Sequence, residues 1–250
     1  MEYISFYIII LISGVVVGSF LNVCIYRIPM HEDIVLKRSH CFSCGSVLKW
    51  YELVPLVSFA LQKGKCRSCG SRMSLQYPLV EFVNGVWYVW VFAVKGISLE
   101  SGLYCLCGSA LLVLGIIDWR TFEIPFGCNI FIGVLGAIRI VGDYKNWQTY
   151  LIGFFAVSGF FYILYVLTKG RGIGGGDIKL MAAAGLLLGW QNIILSLVVG
   201  CLLGSLIHLS LMRFAKKDRV LAFGPYLALG MATAMLYGDR LIRWYVDSFL

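Results

Sequence analysis

Charge is scarce in this chain. Asp, Glu, Lys and Arg make up 14% of its 250 residues, and acids number 13 against 21 bases. A soluble domain of this length carries far more charge than that, so a water-exposed globule is excluded. Several enzyme signatures are missing as well. None of the three histidines falls in an H-E-x-x-H, since His31-Glu32 leads nowhere, and no G-x-S-x-G-like nucleophile occurs. Gly170 to Gly175 spells G-x-G-x-x-G, but an apolar segment precedes it and no Lys-Ser or Lys-Thr follows. A nucleotide loop follows a strand and opens a soluble helix, so that match carries nothing. Glu2 is the only charge ahead of the first apolar run, and neither a basic start nor a small-residue cleavage site is evident. That run is therefore expected to be a retained helix.

What the chain has in quantity is hydrocarbon: 60% hydrophobic residues and a mean hydropathy of +0.84. Apolar runs long enough to cross a bilayer recur along it. The expected fold is all-α, a polytopic membrane protein with about eight transmembrane helices: 4–24, 77–95, 102–118, 125–141, 148–168, 177–189, 191–212 and 220–238, then a tail over 239–250. His208, inside the seventh, reads as a packing histidine. The pairs Gly185/Gly189 and Gly200/Gly204 suit close helix contact. Three regions follow: a first helix over 1–29, a loop over 30–76, and a membrane core over 77–250.

The loop is polar, basic and too poor in apolar residues to build a core, so it needs a staple. Two knuckles supply one, Cys41-Phe42-Ser43-Cys44-Gly45 and Cys66-Arg67-Ser68-Cys69-Gly70. Paired C-x-x-C turns at this separation fit a tetrahedral four-thiolate zinc site, structural in kind, on Cys41, Cys44, Cys66 and Cys69. Two disulfides are the alternative, and they need an oxidising compartment. His40 reads as a neighbour, not a ligand.

The distribution of positive charge chooses between them. With the loop placed in the cytosol and the spans alternating, 16 of the 21 lysines and arginines fall inside. The five outside are Lys95, Arg139, Lys145, Arg240 and Arg243. That bias is the positive-inside rule. It puts both termini outside, the cysteines in a reducing cytosol, and Asp118 and Asp177 at one membrane face. The net charge of +8 then reports topology and contact with anionic membrane lipid, with no nucleic acid as a partner.

An acid at the edge of hydrocarbon costs a few kcal/mol and is a functional candidate by default. Asp118 ends the third apolar run, ahead of Trp119 to Pro125. Asp177 follows Gly170-Arg171-Gly172-Ile173-Gly174-Gly175-Gly176, whose glycines allow an irregular, closely approached backbone. Two carboxylates brought together share a proton, so that one activates water and the other polarises a carbonyl. The bland readings are helix capping and pairing with Arg120, Arg171 or Lys179. Glu81 is a third intramembrane acid, which lines the site, bonds Asn84, or bonds a neighbouring helix. An ion-coupled transporter using Asp118 and Asp177 is the rival reading, although both aspartates fall at one face and not at the midplane.

Taken together these stretches resemble the bacterial prepilin peptidases, or type IV leader peptidases, a family of G-x-G-D aspartyl proteases. Gly18 to Pro29 is similar to the family's G-S-F-L-N-V-x-x-x-R-x-P, and the two knuckles resemble its zinc loop. Tyr77 to Glu81 resembles its entry to the second helix, Asp118 with Ile124-Pro125 its first catalytic motif, and Gly174 to Lys179 its second. Phe223-Gly224-Pro225-Tyr226 resembles its late F-G-P motif. The resemblance implies an enzyme of the bacterial inner membrane that removes the short basic leader of type IV prepilins or pseudopilins. It implies cleavage after a glycine at the cytoplasmic face, with Asp118 and Asp177 catalytic. It further implies N-methylation of the new terminus from S-adenosylmethionine, an activity linked to the cysteine loop. The loop favours the bacterial branch over the archaeal preflagellin peptidases.

Overall fold

A computed structural model describes residues 2–215 and 222–249. The chain divides into two compact units, Met1–Gly96 and Ile97–Leu250. Among the described residues the regular structure is helical, with two isolated antiparallel bridges, His40 to Val47 and Lys65 to Arg72.

The first unit pairs α1 (Glu2–Arg27) with α3 (Gln76–Lys95), joined by the loop that carries the short α2 (Val57–Leu61). Glycine sets the approach of the two long helices. A Cβ on Gly18 would fall 2.7 Å from the Glu81 Cα, and one on Gly14 would fall 2.9 Å from the Gly85 Cα. Backbones that touch in this way replace the hydrophobic drive that lipid does not supply. Polar side chains then cross the seam. The Asn84 amide donates to the Gly14 carbonyl at 2.7 Å, and the Asn22 amide donates to the Tyr77 carbonyl at 3.1 Å. Where α1 ends, the buried Arg27 guanidinium donates to the carbonyls of Asp33, Lys37 and Arg38, folding the loop back on the helix end.

The second unit comprises α4 (Leu99–Thr121), α5 (Phe126–Gly142), α6 (Trp147–Leu167), α7 (Gly175–Leu188), α8 (Trp190–Ala215) and α9 (Gly224–Phe249). Beyond its first turns, which carry Asp177 and Lys179, helix α7 is apolar all round, and its Leu180, Met181, Ala184 and Leu187 are fully buried, as a helix at the centre of a bundle should be. Small residues again set the spacing. A Cβ on Gly185 would run into the Gly153 carbonyl of α6, one on Gly136 of α5 into the Leu186 Cβ, and one on Gly230 of α9 into the Ser196 carbonyl of α8. At the end of the bundle away from Asp118, Arg139 and Glu100 pair at 2.8 Å.

One expectation is not confirmed, and another is refined. Five described helices are long and apolar enough to cross a membrane, with α5 as a shorter apolar one, so the count of eight spans is not confirmed. Helix α7 has 14 residues. At 1.5 Å per residue it reaches roughly 21 Å, short of a hydrocarbon core of about 30 Å. Second, residues 239–249, set apart as a tail, are helical. They continue α9 without a break, because nothing from Asp239 to Phe249 is a helix breaker. The side chains of His208 and Arg213, and residues 216–219 of the basic run, lie outside what the structure describes.

Candidate functional site

Both aspartates lie in the second unit, on different helices and at one end of the bundle. Asp118 occupies the last turn of α4, which stops at Phe122 in the left-handed conformation, its N–H bonded to the Asp118 carbonyl at 2.9 Å. The reversal sends Glu123 to solvent and starts α5 after Pro125. Asp118 is only 5% exposed, and its Oδ2 accepts the Gly224 N–H at 2.8 Å. Gly224 is the first residue of α9, so the bond satisfies one of that helix's orphan donors. A side chain there would collide, since a Cβ on Gly224 would sit 2.7 Å from the same Oδ2.

Asp177 is the third residue of α7, half-buried, with Gly174 at the N-cap. Its carboxylate reaches back to the Gly174 backbone, the acidic half of a capping box. It also lies close enough to Asp118 for the two carboxylates to interact electrostatically. Gly176 explains how the helices come this near. A Cβ on Gly176 would stand 3.0 Å from the Ile124 Cβ, so the turn after Asp118 rests directly on the start of α7. Lys179 lies over the Phe126 ring at 5.0 Å, tying α7 to α5 once more. Helices α5, α7 and α9 thus all begin where the two acids are, and the positive ends of their dipoles offset part of the charge.

The first unit holds the thiols. Each knuckle repeats one geometry: the Cys41 N–H donates to Ser46 at 2.9 Å and the Gly45 N–H to Cys41 at 2.9 Å, matched by Cys66 to Ser71 at 2.8 Å and Gly70 to Cys66 at 2.9 Å. Gly45 and Gly70 both take a φ of +72°, which a side chain would strain. The four sulfurs lie within 4.8 Å of one another, and those of Cys41 and Cys69 are 3.9 Å apart. A tetrahedral ion with metal–sulfur bonds of about 2.3 Å spaces its sulfurs by about 3.8 Å, so the cluster fits a metal. All four are free thiols. The Cys41 thiol is drawn down to about 6, chiefly by the Cys44 N–H, with Ser43 and Ser71 adding to it against burial. A sulfur primed as thiolate is what a metal requires. His40 is outside the group, its ring 5.7 Å from Phe42.

Glu81 belongs to this unit and faces the loop. Its Oε2 accepts the Leu56 N–H at 2.8 Å, and the Ser19 hydroxyl is a second donor. Gly18, Ser19 and Asn22, consecutive features of one motif, therefore all serve the α1–α3 seam. Three contributors were not identified from sequence: the Gly224 N–H, the Leu56 N–H and the Ser19 hydroxyl. For Gly224 the signal was the F-G-P triplet, which carries no chemistry of its own until the fold brings it to Asp118.

A helical membrane protein with two neighbouring carboxylates in one unit and a four-thiol knuckle in the other: this is the class that fold and sites define. Two family models divide the chain as the units do. The bacterial peptidase A24 N-terminal domain matches residues 12–94, and the type IV leader peptidase family matches residues 105–209. The chain is 36% identical over 248 residues to a prepilin leader peptidase/N-methyltransferase of Bacillus subtilis (strain 168), covering 97% of this chain and 98% of that protein. It is 30% identical over 276 residues to proteins of the same description from Stutzerimonas stutzeri and Pseudomonas aeruginosa, covering 98% of this chain and 95% and 94% of theirs. The chain belongs to the type IV leader peptidase family. No solved structure matches it.

Proposed function

We propose that this protein is a membrane aspartyl endopeptidase that removes the basic leader from type IV prepilins or pseudopilins and then N-methylates the new terminal residue. Family membership over nearly the whole chain carries the reaction class. The observation that carries the residue assignment is the approach of Asp118 and Asp177 at one end of the second unit, with Gly224 holding the first. The pair acts as one titrating unit that shares a proton, so that an ionised oxygen activates water while a protonated one polarises the scissile carbonyl. The substrate's apolar segment lies among the helices and its leader stays in the cytosol. A glycine before the cut suits a narrow cleft entered by an extended backbone.

In this reading the division into a first helix, a knuckle loop and a peptidase core is functional. The loop is cytoplasmic, both termini are outside, and the protein is a multi-pass protein of the bacterial inner membrane. Zinc is the metal for Cys41, Cys44, Cys66 and Cys69, since four thiolates leave no open position and make a structural site. The methyl group comes from S-adenosylmethionine. Nucleic acid has no part in the reaction. The comparisons lend no support to the transporter reading.

The test is co-expression with a pilin-like precursor from the same genome, followed by mass spectrometry of the product. Wild type is expected to cut after a glycine and to add the mass of one methyl group. Asp118→Asn and Asp177→Asn each keep volume and remove the acid, and each is expected to reduce cleavage by at least about 10²–10⁴-fold. Cleavage that survives either change overturns the residue assignment.

A further inference from the structure

The stretch between the knuckles, Trp50 to Leu61, has two sides. Ser58 and Phe59 are on the wall of a cavity of about 470 Å³ that the first unit encloses. Trp50, Val54, Val57 and Leu61 are turned out of it, the first and last of them 79% exposed. They recur at steps of 4, 3 and 4 residues, with Val57 and Leu61 one turn apart on α2. An exposed row of large apolar groups marks a surface that something apolar covers.

Glu81 fixes the depth of this stretch. Its Oε2 accepts the Leu56 N–H at 2.8 Å. Glu81 is the sixth residue of α3, a membrane-length helix of 20 residues. At 1.5 Å per residue it stands about 8 Å in from the loop-side end. The stretch therefore dips back along the helix toward hydrocarbon and does not stand off in water. Its backbone suits that place. Pro55 has no N–H to satisfy. Val57 donates to Pro55, Ser58 to Val54, Ala60 to Leu56, Gln62 to Ser58 and Gly64 to Phe59, at 2.6–3.0 Å. Non-helical backbone at membrane depth needs every such bond and a cavity or protein behind it, whereas a loop in water does not. Leu56 itself holds φ +58°, a strained position that aims its N–H at the carboxylate.

The flanks of the stretch are aromatic and basic. Trp50 and Tyr51 stand edge to face at 5.7 Å, and Lys49 and Arg67 lie over the Tyr51 ring at 5.9 and 5.4 Å. Lys63 and Lys65 follow Leu61. The one acid from 49 to 67 is Glu52, whose Oε2 takes the Lys49 N–H at 2.8 Å. Tryptophan, tyrosine, lysine and arginine gather where hydrocarbon meets headgroups. The charge matches an anionic leaflet, and α1 and α3 already fix this unit in a bilayer. We infer that Trp50 to Leu61 is a re-entrant interfacial segment, with its Trp50, Val54, Val57 and Leu61 row in lipid and Lys49, Lys63, Lys65 and Arg67 on anionic headgroups.

The test uses the full chain in lipid nanodiscs and reads Trp50 as the fluorescence of wild type less that of Trp50→Phe, a change expected to leave cleavage unaltered. Phospholipid brominated high on its acyl chains is expected to quench the Trp50 signal more strongly than aqueous iodide does. Leu61→Trp, read against wild type, puts a second reporter at the other end of the row and is expected to respond in the same way. Stronger quenching by iodide places the row in water, and quenching by neither places it under protein, whether the second unit or a second copy. Either result overturns the inference. In discs of equal phosphatidylglycerol and phosphatidylcholine, quenching is expected to be about twofold greater with the bromine on the anionic lipid. Lys63→Gln with Lys65→Gln is expected to bring that ratio toward one while lipid still quenches more than iodide. A ratio of one in wild type overturns the anionic contact, and a ratio that the double change leaves intact overturns the part given to those two bases.

Discussion

The two units solve one problem, holding polar groups at the border of hydrocarbon, by opposite means. In the second unit the aspartates are held by helices packed through glycine, with a backbone amide of α9 reaching Asp118. In the first unit the loop is held by side-chain-to-backbone bonds, Arg27 to three carbonyls and Glu81 to Leu56, beside two knuckles that bring four sulfurs together. Packing brings the helices of the second unit into backbone contact at Gly153, Gly185 and Gly230. Polar fastening gives the first a folded loop with a cavity inside it.

This contrast can be broken by substitution, most severely where glycine meets backbone. Gly185→Leu drives a side chain into the Gly153 carbonyl. Overpacking costs about 1–3 kcal/mol when neighbours yield, and here the neighbour is main chain, so at least that much is expected. Thermal melting of the purified protein should drop sharply, with cleavage lost alongside it. Next comes Gly224→Ala. The donor amide stays, but the Cβ would lie 2.7 Å from Asp118 Oδ2, and the carboxylate must move. Displacements of about 1 Å at a catalytic group cost on the order of 10²-fold, so a fall of about 10- to 100-fold in cleavage is expected with the melting temperature nearly kept.

In the first unit, Cys41→Ser with Cys66→Ser removes one ligand from each knuckle. Metal content by mass spectrometry should fall from one ion per chain to none. Protease sensitivity between residues 30 and 75 should rise by about tenfold or more, because metal binding there is folding energy. Glu32→Gln is the mild extreme. Its pair with Lys37, at 2.7 Å, is solvent-exposed, and neither melting nor activity should change measurably. A large effect there would mean that the loop is held by its surface charges and not by its staple.

Much of this was legible before any coordinates. Long apolar runs announce membrane helices, and a doubled C-x-x-C-G announces a four-sulfur cluster, because both signals are local. The glycine run ahead of Asp177 was legible as a place of close approach, and Gly176 against Ile124 supplies the reason. Charge-rich α9 was harder. Asp239, Arg240, Arg243 and Asp247 read as the edge of a membrane span, and a helix does not stop because it leaves hydrocarbon. What no periodicity could reveal were backbone donors. The N–H groups of Gly224 and Leu56 become functional only when distant segments meet them, 106 and 25 residues away in sequence. Glu81 shows the same limit: its residue type flags importance, and the fold alone turns it toward the loop.

The paired knuckles have a topological consequence. With an ion on all four sulfurs, the chain from Cys41 to Cys69 becomes a closed ring whose lock is made of two near-identical halves. A ring survives a single cut. A protease nick anywhere between Gly45 and Cys66 would leave both ends fastened and the cavity wall in place, and only chelation would let the severed loop fall open.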